Sequence, residues 1–136
     1  MKDVKRLKEL LVEGKCCAVA LVQVALESVG EKNDRLLQAV SGLCGGVQSG
    51  LVCGALTGAA CMLNVLDPKN ANAHMIPDLA DWFVEKVKEE YGGVQCNDIL
   101  GGDPARRTTR CPELIVATYL MAKEIMKPYG HEPEQP

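Results

Sequence analysis

The chain has 136 residues, 47% of them hydrophobic, which is enough for one well-buried core and too few for two. A formal charge of −3 and an aromatic content of 4% leave neither a basic patch nor a stacking platform, so nucleic-acid binding is not expected. The N-terminus from Met1 to Leu11 interrupts its apolar residues with charges and lacks the continuous apolar stretch of a signal peptide, which points to the cytoplasm.

Residues 3–13 place Val4, Leu7, Leu10 and Leu11 on one stripe at helical spacing, predicting an amphipathic surface helix. The run Cys16 to Ser28 is apolar nearly all round, apart from Gln23, and predicts a central helix stopped by Gly30. Asn33 and Asp34 can cap a third helix that buries Leu36, Leu37, Val40 and Leu43. The pattern then breaks down in the glycine-rich stretch Ser41 to Gly50. A fourth helix is expected from about Cys53 to Leu66, ended by Asp67-Pro68. A fifth is capped near Pro77-Asp78 and closed after Tyr91 by Gly92-Gly93. One short turn fits Cys96 to Leu100, and a last helix follows Cys111-Pro112 through Leu114, Ile115, Thr118, Tyr119, Met121, Ala122 and Ile125.

The predicted fold class is all-α, a compact bundle of about five or six helices forming a single domain over 1–127, with a flexible tail over 128–136. The apolar stretches Cys16–Leu26 and Leu51–Leu66 fall short of the roughly 18 to 20 uninterrupted residues a membrane span needs. Gly54-x-x-x-Gly58 is therefore read as a seam where two buried helices pack closely. Two helices that are apolar all round are hard to bury in so small a monomer, so a homodimer is expected.

Seven cysteines are the dominant chemical feature. A reducing compartment gives structural disulfides little reward, so metal binding or redox work leads. Cys16, Cys44 and Cys61 are read as small core residues. Cys17, Cys53, Cys96 and Cys111 instead fall at or near predicted helix starts, Cys111 most clearly because Pro112 suits a first turn. The thiolate is both nucleophile and metal ligand, and the positive end of a helix favours it. These four are expected to converge on one redox or metal-binding centre. They are 36, 43 and 15 positions apart with no Cys-x-x-Cys, which disfavours a zinc ribbon, a thioredoxin-like pair and a bacterial ferredoxin run, and there is no haem attachment motif. Any shared site has to be assembled by tertiary folding. Arg106, Arg107 and Arg110 either belong to a solvated loop or lower the pKa of Cys111 and hold an anion. Of the two histidines, only His74 lies within the predicted domain, and no nucleophile motif surrounds it.

An early cysteine in the first core helix, then Cys53-Gly-Ala-Leu-Thr-Gly58, Cys96 and Cys111, resembles the redox-active family named C_GCAxxG_C_C. Cys16-Cys17-Ala18, Gly42-Leu-Cys-Gly-Gly46, Tyr91-Gly-Gly93, Cys96-Asn-Asp-Ile-Leu-Gly101 and Arg110-Cys-Pro112 look like the family's segments, and the resemblance covers most of the chain. It departs from the family's label in one respect, reading Cys-Gly-Ala after Val52 where the label writes Gly-Cys-Ala. The resemblance implies that Cys17, Cys53, Cys96 and Cys111 are the functional cysteines, with Cys16 as the alternative to Cys17, and that Gly54, Ala55 and Gly58 complete the motif. The family is also similar to the non-haem part of split-Soret cytochromes, which is associated with an iron–sulfur cluster and a dimer. The expectation is thus an electron carrier or redox sensor, rather than a stand-alone catalyst, whose four cysteines bind an iron–sulfur cluster, most simply [2Fe-2S]. Glycine-rich backbone from Gly42 to Gly50 could donate N–H groups to it. The alternatives are a cofactor-free thiol–disulfide or sulfur-carrier protein and a structural four-cysteine zinc module.

Overall fold

In the computed structural model, which describes residues 2–131, seven helices run in the order α1 (Lys2–Val12), α2 (Cys17–Ser28), α3 (Asp34–Val40), α4 (Gly54–Leu66), α5 (Ile76–Tyr91), α6 (Cys96–Leu100) and α7 (Arg107–Met126). The fold is all-α and forms one domain, with one helix more than the upper expectation. The short turn expected at Cys96 to Leu100 counts as the seventh, α6, and its first turn is fixed where the Asp98 carboxylate accepts the Gln95 N–H at 3.1 Å. Among the described residues the extended pairing is confined to one antiparallel bridge between Val52 and Gln95.

Most helix ends obey local chemistry. The Asn33 side chain accepts the Leu36 N–H at 3.0 Å and starts α3. Gly92 takes φ +83° and ends α5, its N–H donating to Lys88 O at 2.9 Å. The start of α7 differs from the sequence expectation. Asp103 accepts the Ala105 N–H at 3.0 Å and winds a 3-10 turn over Pro104–Arg106 that runs straight into the helix. Cys111 therefore sits in the second turn, and Pro112 lies inside α7, where it has no N–H for the Thr108 carbonyl.

Helix α2 is the centre of the molecule. Ala18, Ala20, Leu21 and Val22 have no exposed surface. One side faces the main core, made with Leu7 and Leu10 of α1, Ala55, Ala59, Met62 and Leu63 of α4, Phe83 of α5 and Tyr119 of α7. Its other side packs on Val40 and Cys44 in a smaller cluster. Each fully buried leucine or phenylalanine contributes roughly 1.5–3 kcal/mol, so this arrangement carries most of the stability. Eight residues of α2 are buried within the one chain, whereas on α4 Leu56, Cys61, Val65 and Leu66 stay half-buried. No helix among the described residues is long and apolar enough to cross a membrane.

Residues 127–131 dock back on the bundle. Lys127–Tyr129 form a 3-10 turn, the Tyr129 ring stacks on His74 with centroids 5.8 Å apart, and His131 Nε2 lies 2.8 Å from Asp67 Oδ2. The rest of the expected flexible tail, residues 132–136, lies outside the described residues.

Candidate functional site

The motif Cys53-Gly-Ala-x-x-Gly58 has a direct geometric meaning. Cys53 is extended (φ −60°, ψ 133°) and caps α4, its Sγ accepting the buried Ala55 N–H at 3.4 Å. A Cβ on Gly54 would overlap Cys17 Sγ and stand 3.4 Å from Leu43 O and 3.6 Å from Cys44 Cα, so the missing side chain is the space the Cys17 sulfur occupies. One turn on, a Cβ on Gly58 would come within 2.6 Å of Ala18 Cα, so the same face lets the backbones of α2 and α4 approach. Cys96 is brought in by the bridge. Cys53 N–H donates to Val94 O at 3.3 Å and Cys96 N–H to Leu51 O at 2.6 Å, laying the approaches to α4 and α6 side by side.

The four cysteines singled out in the sequence come into electrostatic reach of one another. Burial raises the Cys53 thiol to about 12, and Cys17, Cys111 and Cys96 each push it further in the same direction. Burial likewise raises Cys111 to about 11, with Cys17 and Cys96 adding to it and Arg107 opposing. Cys17 is also raised, by burial first, against the Ala18 N–H and its own N–H, which favour its thiolate. The helix-start effect expected from the sequence therefore has the right sign at Cys17 and Cys53 and loses on magnitude. A helix terminus contributes about 0.3–1 kcal/mol, less than about one pH unit, whereas full burial moves a pKa by up to roughly 3–5. Burial therefore favours the neutral thiol at Cys17, Cys53 and Cys111.

The remaining cysteines differ from their expected roles in one respect. Cys61 is a half-buried free thiol, but Cys16 and Cys44, expected as core fillers, form a disulfide with Cα atoms 6.0 Å apart. Of the doubled pair, Cys17 is thus the free thiol. The arginines divide. Arg110 lies 5.2 Å over the Tyr91 ring and donates to Ile99 O at 2.6 Å, while Arg106 donates to Leu100 O at 3.3 Å. These two satisfy carbonyls at the end of α6. Exposed Arg107 is the one that acts on Cys17 and Cys111.

Two features escaped the sequence reading. The Thr57 hydroxyl is buried with no hydrogen-bond partner, one turn beyond Cys53 on α4. Its only signal was a polar residue among the small and apolar ones that open α4. The glycine-rich stretch is a left-handed turn in which Gly45, Gly46, Val47 and Gln48 all have positive φ, from +56° to +66°. A left-handed backbone costs roughly 1–2 kcal/mol for each non-glycine residue, so Val47 and Gln48 are held against a preference.

As folded, no three His, Cys, Asp or Glu side chains among the described residues close on one point tightly enough to hold a metal ion. Thiols are donors of the kind that both metal ions and iron–sulfur clusters take. No curated protein and no solved structure matches the chain. Residues 15–125 match a protein-family model described as "Putative redox-active protein (C_GCAxxG_C_C)". With its cysteines and glycines placed as above, the chain belongs to the C_GCAxxG_C_C family.

Proposed function

We propose that Cys17, Cys53, Cys96 and Cys111 are the ligands of one redox centre that takes an iron–sulfur cluster of the two-iron type, making the protein an electron carrier or redox sensor. The observation that carries this reading is the gathering of four thiols from α2, α4, α6 and α7 into one neighbourhood, where burial and the other thiols favour the protonated form of Cys17, Cys53 and Cys111. Neutral buried thiols are poor nucleophiles, which weighs against a cofactor-free thiol catalyst. A bound cation deprotonates coordinating thiols outright, which gives such a gathering a purpose. When bound, the cluster supplies one-electron transfer. This chain's own residues would hold it: Gly54 makes room for Cys17, the Ala55 N–H bonds Cys53 Sγ, and the unpartnered Thr57 hydroxyl is a donor of the kind that tunes sulfur ligands.

Anaerobic purification with a visible spectrum and iron, sulfide and zinc assays tests the reading. A brown protein with equal iron and sulfide is expected, and Cys53→Ser or Cys111→Ser should lose both while the far-ultraviolet circular dichroism persists. Colourless, metal-free protein cycling between thiol and disulfide at these positions would replace the reading with thiol chemistry. Stoichiometric zinc would replace it with a structural module. Light scattering on the same sample reads the subunit number against the 14.7 kDa chain, a homodimer being the state associated with the split-Soret resemblance.

A further inference from the structure

The Cys16–Cys44 disulfide lies outside the four-thiol set yet touches it on both sides. Cys16 is the extended residue that precedes Cys17 and caps α2. Cys44 leads into the left-handed turn, and its Cα stands 3.6 Å from the Cβ position of Gly54, beside the Cys17 sulfur. The bond therefore ties the start of α2 to the foot of the turn. The turn's other anchors are hydrogen bonds: Gln48 Nε2 to Ser41 O at 3.1 Å, Leu51 N–H to Gly46 O at 2.9 Å, and Cys96 N–H to Leu51 O at 2.6 Å. The last of these fixes a candidate ligand. Val47 and Gln48, in a conformation non-glycine residues avoid, need such anchoring to stay in place. The other five cysteines are free thiols, so this one pair stands out as the oxidised couple of the chain.

We propose that Cys16 and Cys44 are a second redox site, a dithiol–disulfide couple exchanging with a protein dithiol of the thioredoxin class, and that its state sets the left-handed turn of residues 45–48 open or closed. The partner's thiolate attacks Cys16 Sγ, because Cys16 is half-buried whereas Cys44 is 5% exposed. The Cys16–Cys44 bond breaks, a partner–Cys16 bond forms, and Cys44 leaves with the electron pair and takes a proton. The partner's second thiol then attacks its own first sulfur, the mixed disulfide breaks, and Cys16 takes the pair and a proton. The chain gains two electrons and two protons, and the partner is left as a disulfide. With its covalent anchor gone, the turn relaxes towards right-handed backbone and loosens the approaches to Cys17 and Cys96. That last consequence rests on the four-thiol centre proposed above, whereas the couple and the turn do not.

The test uses the full metal-free chain, oxidised or treated with thioredoxin and its reductant, alkylated and mapped by non-reducing mass spectrometry, with hydrogen exchange read in parallel. The expected oxidised sample holds a Cys16–Cys44 linked peptide, with Cys17, Cys53, Cys61, Cys96 and Cys111 unlinked. Reduction should remove that link and raise amide exchange in residues 45–51 at least tenfold, leaving α5 unchanged. The Cys16→Ser/Cys44→Ser double variant should show the same fast exchange without reductant, and if it does not fold, the oxidised and reduced wild-type chains still decide. No 16–44 link, a link that thioredoxin does not reduce, or reduction without faster exchange at 45–51 would overturn the proposal. Iron and sulfide content is assayed separately, so failure of the cluster leaves this result standing.

Discussion

Gly58→Ala tests whether close approach of α2 and α4 is what the small-residue motif provides. The new Cβ would stand 2.6 Å from Ala18 Cα, 3.1 Å from Ala18 Cβ and 3.2 Å from Ala18 O. Comfortable carbon contacts lie at about 3.5–4.0 Å, so the helices must part by about 1 Å. The obstacle is backbone, which no side-chain rotation can relieve, so the strain belongs in the upper part of the roughly 1–3 kcal/mol range for overpacked cores. Replacing glycine by alanine inside a helix returns about 1 kcal/mol. The net expectation is a loss of about 1–2 kcal/mol, read by urea denaturation followed with circular dichroism. Gly42→Ala is the control, because nothing lies within 4 Å of its Cβ position and its φ is not positive. It should be neutral or stabilise by up to about 1 kcal/mol. Because Ala18 follows Cys17, Gly58→Ala should also lower iron and sulfide content. A Gly58→Ala midpoint equal to or above the wild type would refute the close-packing account of the motif.

Thr57→Val keeps the shape of a side chain whose buried hydroxyl has no partner, so it should stabilise the metal-free protein by about 1 kcal/mol or more; thermal unfolding that shows a loss instead would mean the hydroxyl is bonded. Because burial raises Cys53 from 9.0 to about 12, the folded state keeps a proton that the unfolded chain releases. The resulting stability is whole below pH 9 and declines as the pH rises towards 12, which denaturation at a series of alkaline pH values would show. The slow alkylation of Cys53 and Cys111 at neutral pH should follow the same direction. Opening the Cys16–Cys44 bond, which spans a sequence separation of 28, should lower stability by about 3.5 kcal/mol on the chain-entropy estimate. Denaturant midpoints with and without dithiol read that difference, and equal midpoints would show that the bond does not constrain the unfolded chain.

The helices were legible in the sequence because their signals are local. The stripe of Val4, Leu7, Leu10 and Leu11, the Asn33 cap and the Gly92 stop each act within a few residues, and each appears where the pattern put it. Cys53 at the cap of α4 was legible for the same reason. The start of α7 was not, because Pro112 signals a first turn so strongly that the Asp103 turn feeding an earlier start was overlooked. The Cys16–Cys44 bond was hidden for a different reason: pairing across 28 positions depends on how α2 meets the glycine-rich turn, which no window of sequence contains. The thiol neighbourhood lies between these cases. Its members were marked by helix starts, yet what holds them together is the space above Gly54 and the Val52–Gln95 bridge, both tertiary.

The competition between helix start and burial then decides what kind of chemistry this site suits. Had Cys17, Cys53 and Cys96 been exposed at their helix starts, the N–H groups beside them would have made reactive thiolates, and thiol exchange would be the natural reading. Buried as they are, Cys53 and Cys111 stay protonated far above neutral pH, while the N–H groups on Cys17 and Cys53 have an effect too small to ionise them. Those same N–H groups would matter once a cation had removed the protons, since they would then bond charged sulfur in a dry setting, where such bonds are strongest. The half-buried Cys16, outside that set and paired with Cys44, is placed instead where a partner's thiolate can reach it. Pairing with Cys44 thus separates two kinds of cysteine chemistry within a few residues of each other, with the disulfide-bonded Cys16 and the free thiol of the adjacent Cys17 falling on opposite sides of the division.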